Sequence, residues 1–292
     1  MAIYQTYQQV GVAEDVSDVL SMISPTATPF QSLVKSEKVH ARTFEWLEDA
    51  LRASAQTALV EGADASAITI SPVVARSNTT QIIGEAFQVS ATADAVKTYG
   101  RSKETALQLS KTLKALKNDV EKCMIGVSQA AVVGSASAAR KMASVSAQIS
   151  TTLDAGSNST DPLTEAKLLA LSETCYNNGS EPSVLMVKPA DASIIAGFAT
   201  ATGRQRDIDR TITNTIDVLV TPFNEVKVVL NRHNLATHAF LIDPTMFKQC
   251  VLRPFTRTLL AKQGDSDKHF CVGELSVRHS NFGDSGMITG LS

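Results

Sequence analysis

The stretch SKETALQLSKTLKALKNDVEKCMIGVSQA, Ser102 to Ala130, carries the most regular pattern in the chain. Leu109, Leu113, Leu116, Val120 and Met124 recur at spacings of three and four, which predicts one long amphipathic helix. At about 1.5 Å per residue it would be on the order of 40 Å long. Leu113 and Leu116 are expected to face the core. Lys111, Lys114, Lys117, Asn118 and Glu121 fill much of the remaining circumference. This basic stripe reads first as a solvated face, with a surface turned toward nucleic acid as the alternative.

Toward the N-terminus, Ala41 to Leu51 places Phe44 and Trp46 on one face of a strand and Thr43 and Glu45 on the other. Its expected partner is Arg76 to Thr92, rich in Thr, Ile, Val and Phe. Between them Ala53 to Val74 is low in aromatics, with Glu61-Gly62-Ala63-Asp64 as the turn and Pro72 limiting the edge. Two strands joined by so long a connection predict a projecting hairpin, and an isolated hairpin is only marginally stable in water. It should therefore lean on another chain. Glu61 and Asp64 would there meet Lys111, Lys114, Lys117 or the cluster from Arg204 to Arg210. Upstream, Met1 to Lys38 reads as an extended arm holding a short helix with Val16, Val19, Leu20, Met22 and Ile23, broken at Pro25 and Pro29.

Toward the C-terminus, Val133 to Ser159 is small and polar, so little core is expected there. Asp161-Pro162 predicts the cap and first turn of a helix through Tyr176, ended by Asn177-Asn178-Gly179. Val184 to Val187 reads as a buried strand and Pro189 to Ala199 as a helix. The loop Thr202 to Arg210 follows, in which Arg204, Arg206 and Arg210 alternate with Asp207 and Asp209. Local or intersubunit ion pairing is one reading of these arginines, and a grip on phosphate or carboxylate is the other. Strands are expected at Ile216 to Val220, Val226 to Leu230, Ala239 to Ile242, Val251 to Leu260, Phe270 to His279 and Met287 to Leu291.

Composition narrows the function. A chain of 292 residues with 43% hydrophobic and 19% charged residues can bury a sizeable core. Its net charge of -2 argues against nucleic-acid binding by broad electrostatic attraction. No apolar run approaches the roughly 20 residues that span a bilayer, and no secretion signal is read at Met1 to Val10. Cytoplasmic synthesis is the expectation. Cys123, Cys175, Cys250 and Cys271 have neither zinc nor disulfide spacing and are expected to be buried thiols. Phosphate-loop, dinucleotide, nucleophile-elbow and H-E-x-x-H signatures are all missing. His233 and His238 lack the companions of a metal pair. Asn78-Thr79-Thr80 fits a glycosylation pattern that reads as chance without secretion. Neither an active site, a cofactor nor a metal is expected.

The order of parts then becomes informative. T-P-F at Thr28 to Phe30, F-E-W-L-E-D at Phe44 to Asp49, N-T-T-Q-I at Asn78 to Ile82, V-S-A-T at Val89 to Thr92 and Y-G-R-S-K-E at Tyr99 to Glu104 resemble one family, the major head proteins of tailed bacteriophages. The likeness runs over roughly the whole chain and is tightest before Gln129. It implies the α+β, Hong-Kong-97-like capsid fold shared with herpesvirus capsid proteins and encapsulins. The parts would be an N-terminal arm (1–38), an extended loop (39–92), a spine helix within a peripheral domain (93–132), an axial domain (133–250) and a C-terminal β region returning to the peripheral domain (251–292).

What the resemblance implies for function is a shell. Copies would assemble as hexamers and pentamers into an icosahedral head of the virion around double-stranded DNA, contacted non-specifically. Portal and decoration proteins are further partners the resemblance allows, and because the charged helical extension that serves some relatives as scaffold is missing, assembly is expected to use a separate scaffold or none. A nanocompartment shell around an enzyme cargo is the alternative. Expected interface residues are Phe30, Glu61, Gly62, Asp64, Lys111, Lys114, Lys117, Arg204, Arg206 and Arg210.

Overall fold

A computed structural model describes residues 27–52, 54–62, 64, 70, 72–96, 103–156, 161–201, 218–262 and 264–291. A short helix α1 (Pro29–Leu33) and strand β1 (Lys35–Lys38) precede the ribbon β2 (Thr43–Glu48) and β3 (Val74–Thr79). Then come β4 (Gln81–Ser90), α2 (Ala91–Ala95) and the long α3 (Glu104–Ile125). The second half runs α4 (Val145–Gln148), β5 (Thr151–Asp154), α5 (Glu165–Asn177), β6 (Val184–Val187), α6 (Ala192–Ala201), β7 (Val218–Val220), β8 (Glu225–Leu230) and β9 (Ala239–Ile242). Strands β10 (Phe247–Leu259), β11 (Ser266–His279) and β12 (Gly286–Thr289) complete it.

Among the described residues the strands form three sheets. A four-stranded sheet has the order β1-β10-β11-β4, a six-stranded sheet the order β5-β12-β9-β6-β8-β7, and β2-β3 stands as a two-stranded ribbon. The runs VLMV of β6 and AFLI of β9 are buried on both faces, as continuous apolar strands of a covered sheet should be. Alternation divides them: Val184, Met186, Phe240 and Ile242 join the cluster that holds Leu116 and Val120 of α3. Leu185, Val187, Ala239 and Leu241 join Leu168 and Leu171 of α5. One sheet thus separates two cores.

Several expectations are corrected. Helix α3 ends at Ile125, not Ala130, with Gly126 as its C-cap, whose N–H donates to the Lys122 carbonyl at 2.8 Å and which packs so closely on the His233 carbonyl that a Cβ there would collide with it. Its buried residues are Thr112, Leu116, Val120, Glu121, Met124 and Ile125, so the covered stripe lies to one side of the expected one. Leu113 is 41% exposed. On the ridge Leu113–Lys117–Glu121, α1 covers Glu121 and reaches the Lys117 carbonyl, which accepts from Gln31 Nε2 at 2.9 Å, while the Lys117 and Leu113 side chains stay exposed. Pro29 opens α1 at its first turn, where a missing N–H costs nothing.

The expected partner strand Arg76 to Thr92 is two strands: β3 pairs with β2, while β4 pairs with β11. Val133 to Ser159 is not poor in core, since Met142, Val145 and Ile149 are buried with Ser144 and Gln148. The cap of α5 is Thr164, whose Oγ1 accepts from Lys167 N at 3.3 Å, rather than Asp161. The C-terminal β region is divided, with β10 and β11 in the four-stranded sheet and β12 between β5 and β9. The arm helix around Val16 to Ile23 lies outside the described residues.

These positions give a direct comparison. Leu116→Ala removes a side chain that is 1% exposed and should cost about 2 to 5 kcal/mol. Leu113→Ala should stay within about 0.5 kcal/mol. Urea midpoints of the two variants check the assignment, and equal losses would refute it.

Candidate assembly interface

The ribbon β2-β3 and its connection form the feature least able to stabilise itself. Thr43 pairs with Thr79 at its base and Glu48 with Val74 at its far end. One face is anchored: Trp46 packs against Phe282 at 6.2 Å, and Arg76 lies 4.5 Å over the same ring while its Nε donates to Glu48 Oε2 at 2.7 Å. The other face and the connection are bare. Leu47 is 73% exposed, Leu51 98% and Ile70 83%, with Leu59 and Val60 also in solvent. Exposed apolar side chains of this kind are commonly covered by a partner when they lie together.

The base of the ribbon is rigid and polar. Asn78 is fully buried; its Nδ2 donates to the carbonyls of Ala143 (3.3 Å) and Val277 (2.6 Å), and its Oδ1 accepts from Ala143 N at 2.8 Å. Ser276 Oγ donates to the Thr79 carbonyl at 2.9 Å. Thr80 Oγ1 donates to Glu274 Oε1 at 2.7 Å, and Arg140 Nη2 (2.6 Å) and Arg253 Nε (3.0 Å) grip the same carboxylate. Burial alone would raise the Glu274 carboxyl, but the Thr80 hydrogen bond and the two guanidinium groups outweigh it and hold it below the usual carboxylate range. Asn78-Thr79-Thr80, a chance glycosylation match by sequence, is thus the buried hinge where β3 leaves the ribbon and β4 enters the main sheet.

Beside this hinge a file of rings runs from Trp46 to Phe282, then His279 at 5.9 Å, then Phe247 at 4.1 Å, then Phe30 at 5.7 Å. The His279 backbone N–H donates to Gln148 Oε1 at 2.9 Å, and its Nδ1 lies 3.2 Å from the Gln148 carbonyl. Desolvation pushes its imidazole down to about 4 from the ordinary 6.5.

The residues expected at interfaces fall into three groups. Glu61, Gly62 and Asp64 lie exposed in the connection, with Gly62 at φ +79 in the left-handed region that favours glycine. Lys111, Lys114 and Lys117 are exposed along α3, and among the described residues none of them makes an ion pair. Arg204, Arg206 and Arg210 lie outside the described residues. Phe30 is a correction: it is 0% exposed and packs edge-on against Phe247, so it belongs to the subunit's own core. Glu121, placed on the solvated face by sequence, is equally buried. Among the described residues no group of three or more His, Cys, Asp or Glu could hold a metal ion, and no helix is long and apolar enough to cross a membrane.

The model of one protein family, the SU10 major capsid protein, matches residues 3–292. The major capsid protein of Escherichia phage Phieco32 is 28% identical, over 98% of this chain and 96% of its own length. Among solved structures, the capsid of cyanophage A-1(L) is similar with a TM-score of 0.70 at 12% identity, covering 98% of each chain. The holo-SrpI encapsulin complex of Synechococcus elongatus PCC 7942 is similar with a TM-score of 0.65 at 9% identity, covering 100% of this chain and 97% of the other. At such identities these two share the fold alone.

Two measurements probe the hinge. Asn78→Ala strands the buried N–H groups of Ala143 and Thr79, which Asn78 Oδ1 accepts, and leaves Gln148 Nε2 as the side-chain donor to the Ala143 and Val277 carbonyls, so it should cost roughly 1 to 3 kcal/mol in chemical denaturation. Because the His279 imidazole is depressed in the folded state, the unfolded chain takes up its proton first as pH falls. The contribution of His279 should be level above pH 6.5, fall by about 1.4 kcal/mol per unit toward pH 4, and level again below that. The loss in urea midpoint between pH 7 and pH 5 should therefore be smaller in His279→Phe than in the parent.

Proposed function

The chain belongs to the SU10 major capsid protein family, and from that premise we propose that its ribbon is an intersubunit clamp in a closed phage shell. It is a major capsid protein of a phage with the Hong-Kong-97-like fold, a component of the virion. The proposal adds how the shell is built. Copies tile as hexamers and pentamers into an icosahedral head around double-stranded DNA, which they contact without sequence preference. The four-stranded sheet with α3 serves as the peripheral domain and the six-stranded sheet as the axial domain. Assembly takes place in the host cytoplasm with a separate scaffold, a portal and decoration proteins as partners. The subunit carries out no catalysis and needs no cofactor.

One observation carries the clamp: the ribbon is fixed at its base by buried hydrogen bonds while the connection beyond it exposes Leu51, Leu59, Val60 and Ile70. Ordering a backbone costs roughly 1 to 2 kcal/mol per residue, and nothing described within the ribbon offsets that cost at the tip. A neighbouring copy supplies the missing contacts. The encapsulin-type shell shares the fold, but the family and the curated relative are both phage proteins, which favours the phage head.

Replacing Ala50 to Val73 with a short Gly-Ser turn keeps all of β2 and β3 and should leave a folded subunit. The same variant should yield no shells by sedimentation and negative-stain microscopy. Particles of normal size and stability from that variant would sink the clamp.

A further inference from the structure

Helix α3 carries a charge pattern that the subunit's own fold leaves unanswered. Lys111, Lys114 and Lys117 stand three residues apart along its exposed face. Side chains at that spacing are neighbours on a helix, so each lysine lies beside another, and like charges so placed cost stability where an opposite charge would add it. The positions three and four residues before and after Lys111 and Lys114 hold Leu107, Gln108, Ser110, Ala115, Asn118 and the lysines themselves, with no acid among them.

Lys117 does have Glu121 four residues on, at the spacing where a carboxylate would pair with it. Glu121 is buried instead, and its Oε1 accepts from Phe30 N at 2.8 Å and Asn231 Nδ2 at 2.7 Å, while its Oε2 accepts from Gln31 N at 3.0 Å. The counterion that the ladder could have used is withdrawn into the core. Among the described residues none of the three lysines makes an ion pair.

A net charge of -2 gives the whole chain no attraction for a polyanion, so any such attraction is confined to a patch. The ladder spans about 9 Å of helix axis. Duplex DNA carries one phosphate per about 3.4 Å along each strand, so a strip of this length laid along it meets about three phosphates. Lysine, a point charge on a flexible stem, suits contact with phosphate that ignores base sequence.

We propose that Lys111, Lys114 and Lys117 form the strip on which the phosphate backbone of the packaged duplex lies, so that this face of α3 is turned toward the interior of the head. The inference rests on the phage-head reading and names the surface by which the shell meets its DNA. Glu61 and Asp64 of a neighbouring ribbon would supply two charges for three lysines, whereas a row of phosphates answers all three.

The test sets Lys111→Gln, Lys114→Gln, Lys117→Gln in one chain against a control that removes the same charge from exposed lysines elsewhere, Lys35→Gln, Lys38→Gln, Lys227→Gln. Fluorescence anisotropy of short duplexes of two unrelated sequences, titrated with unassembled full-length subunit, gives Kd between about 50 and 200 mM NaCl. The parent should bind both duplexes alike, with log Kd rising by about 2.7 per tenfold increase in salt. At the lower salt the ladder variant should lose at least tenfold in affinity, and with it most of the salt dependence, while the control loses less than threefold. Equal weakening by both triple variants, or by neither, overturns the strip. With like charges removed, the urea midpoint of the ladder variant should equal or exceed the parent's, and a fall would mark these lysines as packing residues and overturn the proposal. Empty shells of the ladder variant should form at parental yield; their loss would place the lysines at a contact between subunits and overturn it too. Each of these failures leaves the phage-head reading standing, which falls if the parent itself forms no shells.

Discussion

A carboxylate buried without water must be met by donors on every side, and Glu121 on α3 meets that condition with groups from far along the chain. Its Oε1 accepts from Phe30 N at 2.8 Å and Asn231 Nδ2 at 2.7 Å, and its Oε2 accepts from Gln31 N at 3.0 Å and Gln31 Nε2 at 3.1 Å. The donors on Phe30 and Gln31 are first-turn N–H groups of α1, which has no side-chain cap of its own. A residue 91 positions away caps it instead. The same contact sets Phe30 into the core against Phe247, ties the loop after β8 to α3, and seats α1 just ahead of β1, which then pairs with β10. Were Glu121 absent, these donors would be buried unmatched and the three segments would lose their common point.

From that point order passes to the hinge. Phe30, Phe247, His279 and Phe282 carry packing from α1 to Trp46 in β2, while Glu274 and Asn78 hold the junction of β3 and β4. The subunit is thereby stiff up to the foot of the ribbon and unsupported beyond it. For the clamp proposed above, this division would be an advantage, because a fixed root presents the free edge in one direction without spending order on the tip.

Sequence patterning revealed the parts governed by local periodicity. β6 and β9 fall where the runs VLMV and AFLI predict them, α3 is present with Leu116, Val120 and Met124 inward, and the ribbon turns at Glu61-Gly62. What periodicity misses is pairing at long range. Glu121 looks like any other polar residue on a lysine-rich helix until α1 covers its ridge, and Leu113 looks like core until the cover proves to end short of it. Asn78 and Glu274 depend on partners 199 and 134 positions away, which no window along the chain contains. The small residues after Gly134 read as poor in core because their burial is polar: Ser144, Ser146 and Gln148 bind backbone groups rather than fill an apolar face.

The interleaving of the sheets bears on how the subunit is made. β12 lies between β5 and β9, and β11 lies between β10 and β4, so neither sheet is complete until residues beyond 260 have left the ribosome. During translation the edges of β4, β5 and β9 wait unpaired, a state that is slow to resolve and prone to wrong association. The ribbon is therefore synthesised well before the sheet it leaves is closed. Nascent chains held close together on one polysome would present these open edges to one another.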